Sequence, residues 1–279
     1  MTDLQAKTYP NIGQSIGITG IVIAGMLLMS PLLLIFNNKL MSEDATNFIY
    51  YLCAMGVPLG IVYAIRKSKT GETKFNFKIE NKQTIPLIII AQIGLLIGIT
   101  VPILGLVLEL IPVPEALAKA FEFEINISTF LLIVIAAPVL EEFIFRAVML
   151  NGLLKKYSPV KAILISSILF AFVHLNPWQF FSALFIGIFI GWIYHKTKSL
   201  SLAIIIHAVN NFTIFLLVFI SEKFFGLDSS AMSEMTLSES YGGLTGFVLI
   251  TTGSILIFVL SVWFLKEKFK KTENLKSEI

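Results

Sequence analysis

Three ionisable residues lie inside one long apolar segment, and their spacing indicates chemistry. Glu141, Glu142 and Arg146 follow the apolar run 129–140 without a turn signal, and apolar residues continue to Leu150. Each charge near the centre of a bilayer costs about 3 kcal/mol on insertion scales, so such charges normally mark a functional site. On a helix, Glu142 and Arg146 share one face, and Glu141 is turned about 100° away. The spacing predicts that Arg146 neutralises Glu142 and that Glu141 remains free for chemistry.

Other polar groups with catalytic potential lie in later apolar segments. His174 is near the end of one segment, and His207 and Asn211 are four residues apart in another. Counted at about 1.5 Å per helical residue from the nearest inner lysines, Glu141, His174 and Asn211 lie roughly 20 Å deep and His207 roughly 14 Å deep. Such groups are tolerated in lipid where they face one another or a water-filled cavity. We expect the four side chains to meet. A polar cluster that only holds helices together is the simpler alternative.

The composition is typical of a polytopic membrane protein. The chain has 279 residues, of which 56% are hydrophobic and 14% are charged, and its mean hydropathy is +0.84. These values exclude a soluble domain, and nucleic acid is not an expected partner. The single Cys53 lies in an apolar segment and is expected to pack as a small hydrophobic side chain.

Apolar runs separated by polar breaks predict an all-α fold, a bundle of about eight transmembrane helices. If the N-terminus is cytoplasmic, the inner segments hold seventeen Lys and Arg residues, and the outer segments hold only Lys39, Lys119 and Lys223. This bias predicts that both termini are cytoplasmic. An odd number of spans is the alternative, and it would place some of the inner Lys and Arg residues on the same side as the outer ones. The predicted spans are 13–36, 46–65, 84–111, 127–153, 159–176, 178–195, 199–220 and 243–265.

We expect one integral membrane domain over residues 1–279. Its predicted parts are accessory helices in 1–126, core helices with the polar groups in 127–220, an outer loop and last helix in 221–265, and a solvated cytoplasmic tail in 266–279.

Shorter patterns predict local features between and within the spans. The loop 67–83 alternates Lys and Phe, which indicates an extended or interfacial segment with lysines against anionic headgroups. Glycines four apart, at 94 and 98 and at 187 and 191, predict close helix contacts. The stretch 115–124 favours a short helix on the membrane surface.

Three motifs on separate spans resemble the CAAX-protease and bacteriocin-processing family of intramembrane proteases, also called the ABI family. The resemblance covers roughly residues 127–212, and the run 196–200 is similar to that family as well. Ala147 departs from the glycine that many members carry after the arginine, which should affect packing more than chemistry. The motifs are Glu141-Glu142-x-x-x-Arg146, Phe170-x-x-x-His174 and His207-x-x-x-Asn211.

The resemblance implies an intramembrane endopeptidase that hydrolyses a peptide bond with an activated water. In this interpretation Glu141 is the general base and His174 helps to hold the water. His207 and Asn211 stabilise the tetrahedral oxyanion.

Glu142 and Arg146 would support Glu141 by fixing the face of its helix. A rival mechanism makes Glu141, His174 and His207 ligands of a catalytic Zn²⁺. The two histidines lie on different helices, so their spacing carries no local zinc signature. We favour the mechanism without a metal cofactor and keep Zn²⁺ as the alternative.

The expected partners are the lipid bilayer and a membrane-associated peptide or protein substrate. Relatives cut near a lipidated C-terminal cysteine or take part in bacteriocin maturation and self-immunity. The Lys-, Ile- and Asn-rich composition is typical of bacteria, which predicts a bacterial plasma membrane and argues against prenylated substrates. Two other function classes stay open: a non-catalytic scaffold or immunity protein of the same fold, and an ion-coupled transporter. Transporters often carry inverted repeats, and the sequence shows none.

Overall fold

The computed structural model describes residues 8–36, 41–111, 113–114, 124–227 and 235–277. These residues form eight helical segments and no β-strand, which confirms the predicted all-α fold. The predicted surface helix at 115–124 lies almost entirely outside the described residues. The segments are α1 (Ile12–Phe36, broken at Ser30), α2 (Glu43–Thr70), α3 (Lys82–Leu110), α4 (Ile127–Leu153), α5 (Pro159–Phe172), α6 (Pro177–Thr197), α7 (Leu200–Phe225) and α8 (Leu244–Ser277).

Seven of these segments are long and apolar enough to cross a membrane, and α5 is the exception among the described helices. The helix α5 has 14 residues, a length of about 21 Å at the usual helical rise. This is shorter than the hydrocarbon layer of about 30 Å. The predicted span 159–176 therefore contains a helix that ends at Phe172, followed by a turn that carries His174.

Close helix contacts form where the glycine spacing predicted them. A Cβ atom added at Gly98 would lie 2.8 Å from the backbone nitrogen of Ile255 in α8, and one at Gly94 would lie 3.0 Å from the carbonyl oxygen of Ser254. A Cβ atom at Gly187 would meet Phe170 at 3.2 Å. The small residues thus let α3 approach α8 and let α6 approach α5, as expected for helices packed by van der Waals contact.

The helix α3 is interrupted where a proline removes an amide hydrogen. Residues Leu96–Thr100 are π-helical, and the Val101 amide donates to the Leu96 carbonyl, five residues back. Pro102 has no N–H to continue this pattern to Ile97. The Ile97 carbonyl instead accepts a hydrogen bond of 2.9 Å from the Tyr241 hydroxyl. The segment before α8 is thereby fastened to α3.

The last helix extends beyond its predicted span. The segment expected to be a solvated tail continues as helix to Ser277, and the Phe269 side chain is buried with only 6% exposed. Its ring packs against Trp192 of α6, with centroids 5.8 Å apart. The first turns of the predicted tail therefore belong to the packed bundle.

Candidate active site

The two glutamates lie on α4 in a short α-helical stretch, Ala137–Glu142, between two π-helical segments. Segments of this kind are frequent at functional sites. The Ala137 amide donates to the Leu132 carbonyl, and Pro138 has no N–H for the next carbonyl, that of Ile133. The Asn211 side chain supplies the missing donor, because its Nδ2 lies 2.9 Å from the Ile133 oxygen. A predicted catalytic residue of α7 is thus tied to the helix that carries the glutamates.

Glu142 and Arg146 form an ion pair in the interior of the protein. The Arg146 Nε lies 3.1 Å from the Glu142 Oε2, and neither residue has measurable solvent exposure. The Arg146 Nη2 also donates to the Gly187 carbonyl of α6 at 3.3 Å. Its guanidinium carbon lies 4.6 Å from the centre of the Phe170 ring. The pair that the spacing predicted therefore joins α4 to α5 and α6.

His207 of α7 lies between the two glutamates. Its Nδ1 is 2.8 Å from the Glu142 Oε1, and its Nε2 is 3.8 Å from the Glu141 Oε2. The carboxylate of Glu142, paired with Arg146, is an acceptor for an Nδ1–H donor. The second nitrogen of the His207 ring is therefore the one that faces Glu141.

Glu141 has a partner that the sequence did not predict. The Tyr51 hydroxyl of α2 donates a hydrogen bond to the Glu141 Oε1. We expected Glu141 to remain free, but the structure holds one of its oxygens with a tyrosine from the region expected to be accessory. The other oxygen, Oε2, is the one near His207. The carboxylate is about 9% exposed, and that exposed edge borders a cavity.

The four residues predicted to be catalytic line one cavity of about 430 Å³ inside the helical bundle. The His174 Nδ1 lies 2.9 Å from the Phe170 carbonyl oxygen, so this nitrogen binds the backbone rather than Glu141. The Nε2 of the ring has no such backbone acceptor. The residues of the cavity wall that bear polar side chains are Thr100, Glu141, His174, Gln179, Ser182, His207, Asn210 and Asn211.

A chain of amides orients Asn211. Gln92 of α3 donates to the Asn210 Oδ1 at 2.9 Å, and Asn210 donates to the Asn211 Oδ1 at 3.1 Å. Because Asn211 also donates to Ile133, one of its N–H bonds remains for a further acceptor. The sequence motifs did not include Gln92 or Asn210. Asn210 stood next to a motif residue, and Gln92 carried no signal beyond being an amide in an apolar helix.

The zinc alternative requires Glu141, His174 and His207 to share one metal ion. Within the described ranges, no group of three or more His, Cys, Asp or Glu side chains is placed to hold a metal ion. A zinc ion needs its ligand atoms at about 2.0–2.2 Å. As arranged here, the three side chains do not fit as a zinc ligand set.

Residues 123–213 match the family described as Type II CAAX prenyl endopeptidase Rce1-like. The matched segment contains the region 127–212 on which the three motifs lie, and for this part of the chain it confirms the predicted resemblance to the CAAX proteases. With seven helices able to cross a membrane, the chain is a multi-pass membrane protein with an Rce1-like segment. No curated protein and no solved structure matches the chain significantly.

Proposed function

We propose that this Rce1-like membrane protein is an intramembrane endopeptidase that hydrolyses a peptide bond in a membrane-associated peptide or protein. The observation that carries the proposal is the cavity of about 430 Å³ inside the bundle, whose wall includes Glu141, His174, His207 and Asn211. A carboxylate, two imidazoles and an amide in one cavity supply a base, a water-binding group and oxyanion donors.

Glu141 is the general base in the proposed mechanism. The Tyr51 hydroxyl holds its Oε1, which leaves Oε2 as the oxygen that accepts a proton from water. His174, whose Nδ1 is engaged by the Phe170 carbonyl, binds the same water through Nε2. The hydroxide attacks the scissile carbonyl carbon, and the proton on Glu141 then passes to the leaving amine.

Asn211 and His207 stabilise the oxyanion of the tetrahedral intermediate. Asn211 uses the one N–H bond that its contacts with Asn210 and Ile133 leave over. His207 acts as a donor through Nε2–H while its Nδ1–H stays on Glu142. Glu141 carries the proton from water at this stage, so the positive ring that this requires is balanced by the oxyanion itself and by the Glu142 carboxylate. Donors fixed before the reaction stabilise developing charge without reorganisation.

The proposed setting is a bacterial plasma membrane, with both termini in the cytoplasm and a substrate that reaches the cavity from the lipid or the interface. Lysine-rich composition and the distribution of lysines support this setting.

The test uses purified protein reconstituted in vesicles with a library of quenched fluorescent membrane peptides. We expect Glu141→Ala and His174→Ala to abolish cleavage while both variants accumulate and insert normally. Glu222→Ala and His195→Ala are matched controls, because neither residue lines the cavity, and they should keep wild-type activity. Full activity of both cavity variants would rule out the assignment.

We also propose that the reaction proceeds without a metal cofactor, which the arrangement of the histidines supports. Cleavage by the purified protein should continue after treatment with a chelator. A stoichiometric metal that is removed together with the activity would overturn this part of the proposal and favour the zinc mechanism.

A further inference from the structure

A second cavity, of about 560 Å³, lies at the end of the bundle where α2, α4 and α6 end. It shares no wall residue with the candidate active site. The loop 71–76, which follows α2, forms one side of it. The wall carries the charged side chains of Arg66, Glu72, Lys74 and Lys198 and the polar side chains of Thr73, Asn76, Asn151 and Tyr194.

Arg66 is the most buried cation of this wall, with 4% of its surface exposed. Its Nη2 lies 3.0 Å from the Glu72 Oε2 and donates to the Lys74 carbonyl at 3.2 Å. The guanidinium carbon lies 4.7 Å from the centre of the Phe75 ring. Its Nη1 is buried and has no hydrogen-bond partner among the described residues. A buried donor without a partner costs stability.

Positive charge exceeds negative charge around the cavity. Glu72 accepts hydrogen bonds from both Arg66 and Lys155, so a single carboxylate serves two cations. Lys198 makes no ion pair within the described residues. Its pKa is lowered, first by partial burial and then by the charge of Lys155. Lys74 also lines the wall, so an anion in the cavity would meet cations on three sides.

The loop that closes the cavity is held in place. Phe75 packs edge-on against Phe143 of α4, with ring centroids 5.0 Å apart. The Leu200 amide donates to the Asn76 carbonyl at 2.8 Å, and the Asn76 side chain donates to the Lys198 carbonyl at 3.1 Å. The cations therefore face a preformed site, which reduces the entropy lost on binding.

We propose that this cavity binds a phosphate group, either on a lipid headgroup or as free phosphate, through Arg66 and Lys198. Arginine offers a planar fork of donors that matches phosphate oxygens, and lysine adds a point charge. Tyr194 and Asn151 are among the neutral groups of the wall that can donate to the remaining oxygens. The site lies at the ends of helices long enough to span the membrane, which is the level of lipid headgroups. The proposal does not depend on peptidase activity.

The test measures thermal stability of the detergent-purified full chain at constant ionic strength. One titration uses inorganic phosphate and a second uses short-chain phosphatidylglycerol. We expect saturable stabilisation in at least one titration. Lys198→Gln should weaken the apparent affinity about tenfold or more, because a hydrogen bond to a charged group is lost. Lys69→Gln is the matched control, since Lys69 is an exposed lysine at the end of α2 that does not line the cavity.

The two titrations separate the sources of the phosphate. Saturation by the lipid alone identifies a headgroup, and saturation by inorganic phosphate identifies free phosphate. The absence of saturable stabilisation in both titrations would overturn the proposal. An equal affinity of Lys198→Gln and Lys69→Gln would also overturn it. Because Lys198 is exposed at the surface, its substitution is not expected to prevent folding. Lys74→Gln, at a second exposed wall residue, provides an independent variant.

Discussion

Replacing Tyr51 with phenylalanine tests how Glu141 is held. The substitution removes only the hydroxyl that donates to the Glu141 Oε1 and keeps the ring. In the variant the carboxylate keeps the His207 ring as a neighbour, with Nε2 3.8 Å from Oε2. We expect Glu141 to sample orientations that do not point Oε2 at the water. The turnover number should therefore fall.

The size of the effect follows from the bond that is lost. A hydrogen bond to a charged group contributes about 1.5–3 kcal/mol. Each 1.36 kcal/mol of barrier changes the rate about tenfold, so kcat should fall roughly tenfold to hundredfold. Tyr51 is not part of the wall of the 430 Å³ cavity, so we expect no contact between its side chain and the substrate. KM should therefore stay within about twofold of the wild-type value, as expected for a group that acts on the transition state.

The chain offers a matched control for Tyr51→Phe at the preceding position. The Tyr50 hydroxyl donates to the Met26 carbonyl of α1 at 3.1 Å, and neither residue has a role in the proposed mechanism. Tyr50→Phe should lose a similar hydrogen bond and a small amount of thermal stability, with unchanged kcat. The assay is cleavage of a fluorescent peptide by the reconstituted variants, with a melting curve for each. Equal kcat for Tyr51→Phe and the wild type, or equal losses in both variants, would refute the reasoning.

Three further perturbations have defined outcomes. Arg146→Met leaves Glu142 buried without its cation and should destabilise the protein by about 3–5 kcal/mol; thermal unfolding of the purified protein checks this, and a melting temperature equal to that of the wild type would contradict it. The pKa of Glu72 is lowered below 4.5, first by its hydrogen bond with Lys155. Its contribution to stability is therefore present above pH 4.5 and is lost as the pH falls through the lower value of the folded protein. Melting temperatures measured across that range should decline more for the wild type than for Glu72→Gln, and parallel curves would contradict the prediction. For topology, Lys69→Cys and Ser240→Cys in a Cys53→Ala background should differ in intact cells. An impermeant maleimide should label only the Ser240→Cys variant, and the reverse pattern would contradict cytoplasmic termini.

The helices were predictable because a helix that crosses the hydrocarbon layer needs a long run of apolar residues. Each predicted span contains a described helix, with ends shifted by a few residues except in α8, which continues to Ser277. The helix α5 is shorter than its predicted span, because it ends at Phe172. The Asn176 side chain accepts from the amides of Trp178 and Gln179 and so starts α6 close behind it. Because hydrophobic residues such as Val173 continue the apolar run up to this cap, hydropathy alone does not show that α5 ends before it.

Depth placed Glu141, His174, His207 and Asn211 in one slab of the membrane, and the structure has all four on the wall of one cavity. Depth does not give the rotation of a helix about its axis, and this is why the partner of Glu141 was missed. Tyr51 is one of two adjacent tyrosines in α2, and only the packing of α2 on α4 decides which of them faces the carboxylate.

The predicted solvated tail shows the same limit at the end of the chain. Its lysines indicated contact with solvent. A helix can, however, expose charged residues on one side and bury an apolar residue on the other. Phe269 lies on the opposite face and packs against Trp192. A pattern of one aromatic residue among lysines is too sparse to predict this contact.

In the proposed mechanism Glu141 activates the water that cuts peptide bonds, and a comparison of protein fragments in cells tests this role most directly. Terminal-fragment proteomics would compare cells that carry the wild type with cells that carry Glu141→Gln, at equal protein levels. We predict a set of new N- and C-terminal fragments from membrane-associated proteins or peptides that is present with the wild type and absent with the variant. The same fragments in both cell lines would contradict the claim.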